Sequence, residues 1–358
     1  MMQGQFSQKL KDNRLSVIRL IAMILVIMCH TLEWLGSALG KGEILEVLGN
    51  YCAVGVQIFL VLSGFLYGKR KDLFSEGKYG VFIWRNWKKI LVKYYIYILL
   101  FVFPLTFCLR PEILNASKIW RVLTCSSMFE GIQHLWYIPY VLICYLLTPL
   151  LWDVKEYMRN KSKATLCFGF LISILAVEIL GKAYGSRFVS AWINCYILGF
   201  YLPDFLEQWN LKKSKYITVF IAVLSIVLNV YTYKVRYILL PDIADGLVKE
   251  ICNYYINYSR CILAISIFLV IYLFFKENKM GGKYIRRLLD ASDKYSYNIY
   301  LVHMMYIKGM LSVLDITDYL ILNIILMVLI IIFSAFVLEK MMILINYAEQ
   351  VITNKMRD

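Results

Sequence analysis

Histidine, paired cysteine and flexible linkers are what this chain lacks. It has three histidines in 358 residues, His30, His134 and His303. Its nine cysteines are scattered with no C-x-x-C pair, which argues against a disulfide framework and leaves most of them as small apolar packing residues. No Gly-, Ser- or Pro-rich stretch, low-complexity tract or repeat divides the sequence, so one domain is expected. The longest polar connections, 69–89, 110–134, 234–256 and 276–294, are too short to fold independently. Any chemistry must therefore be done by helices and their loops.

Apolar surface is what the chain has in excess. It is 60% hydrophobic with a mean hydropathy of +0.63, more than a soluble domain of this size can bury. Apolar runs at 15–34, 51–68, 90–109, 135–152, 165–181, 189–206, 216–233, 257–275, 296–313 and 319–346 each approach the ~20 residues needed to cross ~30 Å of hydrocarbon. The expected fold is all-α, a polytopic transmembrane bundle of about ten spans over residues 15–347, with short polar segments at 1–14 and 348–358. The first run is too long for a signal peptide and is expected to stay as a helix. The net charge is +15, and most of the 39 Lys and Arg fall on the side of this layout that carries the termini. By the positive-inside rule both termini then face the cytoplasm and the protein sits in the cytoplasmic membrane. The basic excess is thus a topology signal. With no soluble basic domain to use it, nucleic acid is not an expected partner.

The polar groups inside these runs carry the functional signal. In "RLIAMILVIMCH", Arg19 and His30 are eleven residues apart, about 20° beyond three turns, so they share one helix face about 16 Å apart along the axis. Alone, Arg19 reads as a snorkelling cation and His30 as a hydrogen-bonded core residue; together they read as a functional stripe. All three histidines fall in or beside spans, where an imidazole can take a proton from a hydroxyl. With no i, i+4 histidine pair and no carboxylate evident beside them, no metal is expected. In "GVQIFLVLSGFLYGKR", Gly55, Ser63, Gly64 and Gly68 allow close helix contact or an irregular backbone, and Gln57 and Ser63 offer polar groups to a cavity. "WRNWKK" brings together Arg85, Lys88 and Lys89, near Lys69, Arg70 and Lys71, as a site for lipid headgroups or for the phosphates of an anionic cofactor. His134, Trp136 and Tyr137 open the fourth span, as an interfacial aromatic belt or as a surface for sugar rings. Tyr297, Tyr300 and His303 follow at three-residue steps in "SYNIYLVH".

Taken in order, these segments resemble the acyltransferase family 3 of bacterial integral-membrane acyltransferases. The Arg–ten residues–His signature, "GVQIFLVLSGFL", "WRNWKK", "HLWYIPYVLICYLLTPL" and "YSYNIYLVH" are each similar to family blocks. The resemblance implies a cytoplasmic acyl-CoA donor, usually acetyl-CoA, and an acceptor hydroxyl on a cell-envelope or exopolysaccharide glycan, free or lipid-linked. It makes His30 and Arg19 the catalytic residues, and Arg85, Lys88, Lys89 and Arg19 the donor-binding set. His134, Trp136, Tyr137, Ser63, Gln57, Tyr300 and His303 become candidates for holding substrate. Two departures stand out. Lys88 replaces the second arginine of the family's Arg–x–x–Arg, keeping charge and losing the fork. Gln57 stands where many members carry Asp. No SGNH-type hydrolase domain follows the bundle, so transfer in one step is expected. The competing reading is a transporter or flippase of an envelope precursor. No paired repeat of broken helices and no acidic residue in a coupling position favours it; Glu178 and Glu339 lie near span ends.

Overall fold

The structure is a computed structural model describing all residues except 1–11, 41, 72, 75–77, 127, 130, 186–188, 209–214, 244–245, 276–281 and 356–358. Most of the expected 1–14 segment and the last three residues of the 348–358 segment thus lie outside the described residues. The described residues hold thirteen α-helices and no strand. These are α1 (Asn13–Ala38), α2 (Gly42–Cys52), α3 (Val54–Gly68), α4 (Tyr79–Tyr97), α5 (Phe103–Leu109), α6 (Ala116–Leu123) and α7 (Tyr137–Arg159). They continue with α8 (Lys163–Tyr184), α9 (Ser190–Gln208), α10 (Lys215–Tyr233), α11 (Leu247–Phe274), α12 (Lys283–Ile307) and α13 (Leu320–Lys355).

Local chemistry accounts for several boundaries. Asp12 caps α1 by accepting from the Arg14 backbone N–H, and its carboxylate also pairs with the Arg14 guanidinium at 2.8 Å. Burial works to raise the Asp12 carboxyl, but Arg14 and the nearby Lys69 outweigh it and hold it below the usual carboxylate range. Ser162 and Thr165 form a reciprocal capping box at the start of α8. Two π-helical segments, Ile98–Val102 and Lys234–Leu239, each end just before a proline, Pro104 and Pro241. A proline ring collides with the carbonyl four residues back, and widening the preceding turn relieves that clash.

Among the described residues, eight helical stretches are long and apolar enough to cross a membrane. They match the expected runs except at 189–206 and 296–313, and this is a polytopic membrane protein. The two exceptions, α9 and α12, are too polar for that criterion yet are largely buried, α12 in its second half. Every residue from Asn298 to Ile307 is buried. A helix buried on all sides meets other helices rather than lipid, so it can carry polar residues that find protein partners. The run expected at 51–68 begins earlier, as α2, and breaks at Ala53 before α3. The run expected at 296–313 stops being helical at Ile307.

Contacts place both chain ends at one end of the bundle. Lys69 after α3 lies 3.8 Å from Asp12, and Lys88 of α4 pairs with Glu349 of α13 at 2.5 Å. One level deeper, Lys93 pairs with Glu339 at 2.7 Å. The tightest helix contact joins α3 to α9. A side chain on Gly64 would strike the carbonyl oxygen of Tyr196, one on Gly68 that of Phe200, and one on Gly199 that of Val61. Close helix contact is therefore the role of the small residues Gly64 and Gly68, which form a G-x-x-x-G pair. Below this crossing Lys155, 1% exposed, donates to the Gly68 carbonyl at 2.7 Å and to Asp204 at 2.9 Å, tying α3, α7 and α9 together.

Asp204→Asn should therefore leave a buried ammonium without its counter-ion and destabilise the fold by roughly 3–5 kcal/mol. Replacing both partners, Lys155→Met with Asp204→Leu, should cost far less. Thermal unfolding of the detergent-solubilised protein distinguishes the two; equal losses would contradict this account.

Candidate active site

The site is built by α1 and α12, which run side by side in the same direction. Near the end that carries the termini, Arg19 forms an ion pair with Asp293, and Ser16 donates to the same carboxylate at 2.7 Å. Further along, the His30 and His303 rings stack with centroids 5.4 Å apart. Beyond them Lys308, just past α12, donates to Glu33 at 2.7 Å. Three polar rungs therefore join the two helices across an apolar surround. The stripe of Arg19 and His30 faces a matching stripe of Asp293 and His303.

All three histidines converge here. The ring of His134 meets that of His303 edge-on, with centroids 4.8 Å apart. His303 is fully buried and His134 3% exposed, while the His30 side chain remains 20% exposed. His30 is therefore the one member of the cluster that is partly open. Hydrogen bonding fixes the tautomers, because a carbonyl oxygen can only accept. His303 Nδ1 lies 2.7 Å from the Tyr300 carbonyl and so carries a proton, leaving Nε2 as a lone pair with no partner. His134 Nε2 lies 3.0 Å from the Leu301 carbonyl, leaving Nδ1 in the same condition. His30 Nδ1 lies 3.3 Å from Glu33, so Nδ1–H donates to the carboxylate and the Nε2 lone pair stays available. A buried acceptor nitrogen with no donor is costly, and two beside a partly open imidazole suit a site that receives a hydroxyl.

The expectation that no carboxylate stands beside the histidines is corrected: Glu33 backs His30, and Asp293 neutralises Arg19. Glu33 was legible as the i+3 neighbour of His30, whereas Asp293 lies 274 residues from Arg19 and gave no local signal. Cys29, His30 and Glu33 each put one potential metal-ligand atom within 4.8 Å of the others, but Glu33 already holds the Lys308 ammonium.

The remaining sequence-selected residues divide by position. Tyr300 donates to the His134 carbonyl, and Tyr137 packs edge-on against Tyr300 at 5.3 Å, so both frame the histidines. Trp136 stacks on Trp192 at 3.9 Å, forming an aromatic wall two residues from His134. Gln57 is buried on α3, and with its amide turned so that the nitrogen faces the Ala53 carbonyl it donates there at 2.9 Å, closing the first turn of that helix. Ser63 is half-buried further along α3. Arg85, Lys88 and Lys89 stand at the end that carries the termini; Arg85 and Lys89 are exposed, and Lys88 is held by Glu349. At the histidine end, a cavity of about 510 Å³ opens between α8, α9 and α11, lined by Lys182, Ser190, Glu250, Asn253, Tyr254 and Asn257. Next to it Glu178 accepts from Ser190 and Asn194, each at 2.7 Å, and from Tyr258.

A family model described as an acyltransferase domain matches residues 12–339. The chain belongs to this acyltransferase 3 family. No curated protein and no solved structure matches it. The acyltransferase match begins at the cap of α1, takes in all of α12 and ends in α13 at Glu339, so every polar rung described above falls inside it.

Asp293→Asn should deprive Arg19 of its counter-ion and lower stability by roughly 1.5–3 kcal/mol, the range for a hydrogen bond to a charged group. The exchanged pair Arg19→Asp with Asp293→Arg should recover part of that loss. Denaturation of the purified membrane protein reads both; no recovery would mean that the ion pair does not hold α1 to α12.

Proposed function

We propose that this membrane acyltransferase moves a short acyl group, acetyl by default, from acyl-CoA to a hydroxyl of a cell-envelope or exopolysaccharide glycan at the cytoplasmic membrane. The observation that carries this reading is the partly open His30 ring, backed by Glu33 and stacked on His303. In the direct route, His30 Nε2 takes the proton of the acceptor hydroxyl while its oxygen attacks the thioester carbonyl. The tetrahedral intermediate collapses with loss of the CoA thiolate, which recovers the proton from the imidazolium. Glu33 keeps Nδ1 protonated and stabilises the positive ring, as the third member of a triad does. A second route, through an acyl-histidine formed before the acceptor binds, uses the same nitrogen. Donor-only incubation distinguishes the routes by whether His30 becomes labelled.

The donor side of the proposal uses the opposite end. Arg85 and Lys89, exposed beside Lys88, suit the phosphates of CoA. The thioester would then enter past Arg19 along the stripe that ends at His30. Arg19 has a second task, because its pair with Asp293 holds α12 in the register that stacks His303 on His30. The tryptophan wall of Trp136 and Trp192 and the nearby polar cavity suit a sugar acceptor. One observation favours a carrier instead: Glu178 lies in a span beside that cavity, and the partners described for it, Ser190, Asn194 and Tyr258, are neutral donors.

The purified acyltransferase in lipid nanodiscs, given labelled acetyl-CoA and an isolated envelope glycan, should release free CoA and label the glycan. His30→Ala should lower the rate about 10²–10⁴-fold, the usual share of a general base. Glu33→Gln should lower kcat with KM for the donor little changed, because the ring is disoriented while the donor site is intact. Undiminished transfer by His30→Ala would defeat the proposal, and movement of glycan without CoA release would favour the carrier.

A further inference from the structure

A second polar site lies at the histidine end, between α2, α11 and the π-helical segment that follows α10. It contains two arginines, Arg236 and Arg260, which face a shared pocket with Asn50, Tyr51 and Tyr237. Among the described residues neither arginine has a carboxylate within ion-pair distance. With the described residues Arg260 makes one hydrogen bond, from Nη2 to Asn50 Oδ1 at 3.1 Å. A guanidinium has five N–H donors, so most of its capacity is unused. Arg236 rests over the Tyr237 ring at 5.7 Å. Glu46, one turn before Asn50 on α2, interacts electrostatically with Tyr237 but pairs with neither arginine. Two unneutralised cations on membrane spans are costly unless an anion or a polar partner reaches them.

The surroundings identify the chemical class of that anion. The half-open space between the side chains that a water-sized atom can occupy is only about 10 Å³, room for a single oxygen atom rather than a whole group. The rest of a ligand would lie outside it, against Val47, Tyr51 and Tyr233 of the lining and the lipid-facing surface of these helices, where Leu48, Val230 and Ile238, each within two residues of a lining residue, are exposed apolar side chains. A ligand with an anionic oxygen head and a hydrocarbon body fits this arrangement, and arginine forks match phosphate geometry. The π-helical turn contains both Arg236 and Tyr237, and such turns redirect side chains at functional sites. We infer that Arg236 and Arg260 bind the phosphate of a lipid phosphate ester entering from the bilayer.

The pocket also adjoins the proposed catalytic centre. Gly49, next to Asn50, packs so closely on α1 that a Cβ there would lie 2.9 Å from the Cys29 carbonyl and 3.2 Å from Glu33 Cγ. A phosphate held by the arginines is therefore one helix away from the turn that carries His30. Resting on the proposed function, the lipid would be the carrier of the acceptor glycan, held by its phosphate while its sugar hydroxyl approaches the imidazole.

The full-length protein in phosphatidylcholine nanodiscs tests this by native mass spectrometry without any acyl-CoA, so the result does not depend on the transfer reaction. Hexadecyl phosphate should bind at least tenfold more tightly than hexadecanol, and Arg236→Gln with Arg260→Gln should abolish the difference. Arg236→Gln alone, at a half-exposed position, should reduce it and covers the case in which the double variant does not fold. A third arm uses nanodiscs of phosphatidylglycerol. Preference for hexadecyl phosphate over that lipid points to a carrier phosphate; equal retention points to bulk headgroups, and either supports the phosphate site. Equal binding of hexadecyl phosphate and hexadecanol by the natural protein, or unchanged preference in the Arg236→Gln protein, overturns it. Intact phosphate binding with no acyl transfer would instead count against the proposed function alone.

Discussion

The pairing of α1 with α12 is the constraint on which the site depends. A charge on a membrane-spanning helix is stable there only if something neutralises it, and water is excluded from most of the candidates. Arg19 and Asp293 meet that need for each other, and in doing so fix the register of two helices from opposite ends of the chain. Eleven residues on from Arg19 is His30, and ten on from Asp293 is His303, so the rings stack because the ions below them are paired. Lys308 and Glu33 close the register at the other side. Removing the lowest rung would not touch the imidazoles directly, yet it would free the helices to slide against each other.

The chemistry of the cluster follows from backbone geometry as much as from residue type. Three imidazoles in one place could exchange protons freely. Here His303 and His134 each commit one nitrogen to a main-chain carbonyl of α12, Tyr300 and Leu301, and His30 commits one to Glu33. The three uncommitted nitrogens are thereby fixed as acceptors, and only that of His30 belongs to a side chain that is partly open. The two enclosed rings thus supply a polar, hydrogen-bond-accepting wall, while the open one is the ring that the proposed reaction uses.

How much of this was legible in the sequence depends on how local the signal is. Apolar periodicity and run length located the helices, including eight stretches that satisfy the length and hydropathy of a span. Helical spacing alone put Arg19 and His30 on one face, and their shared face in the structure is the one turned to α12. The small residues of α3 announced a close contact, though not that α9 would be the partner. What remained hidden was pairing across long separations: Asp293 with Arg19, Asp204 with Lys155 and Glu349 with Lys88. A single chain gives no measure of which distant polar residues will meet, because the membrane enforces neutralisation without specifying the partner. Glu33 is the instructive exception, three residues from His30 and readable by spacing. The break at Ala53 and the polarity of α12 were hidden for a different reason, since both are tolerated only inside a crowded bundle.

The length of α13 has a consequence for the donor side. Its 36 residues extend about 54 Å, well beyond the ~30 Å of a hydrocarbon core. The helix is therefore longer than a span requires, and its last turns reach the basic segment of α4 at Lys88. Glu349 near the end of that helix pairs with Lys88, so a phosphate bound there as proposed would compete with a tethered carboxylate for that one cation. If the basic residues of α4 receive the donor as proposed, the helix tail is a built-in counter-anion for them, and the order in which anions displace one another becomes part of how that site is filled.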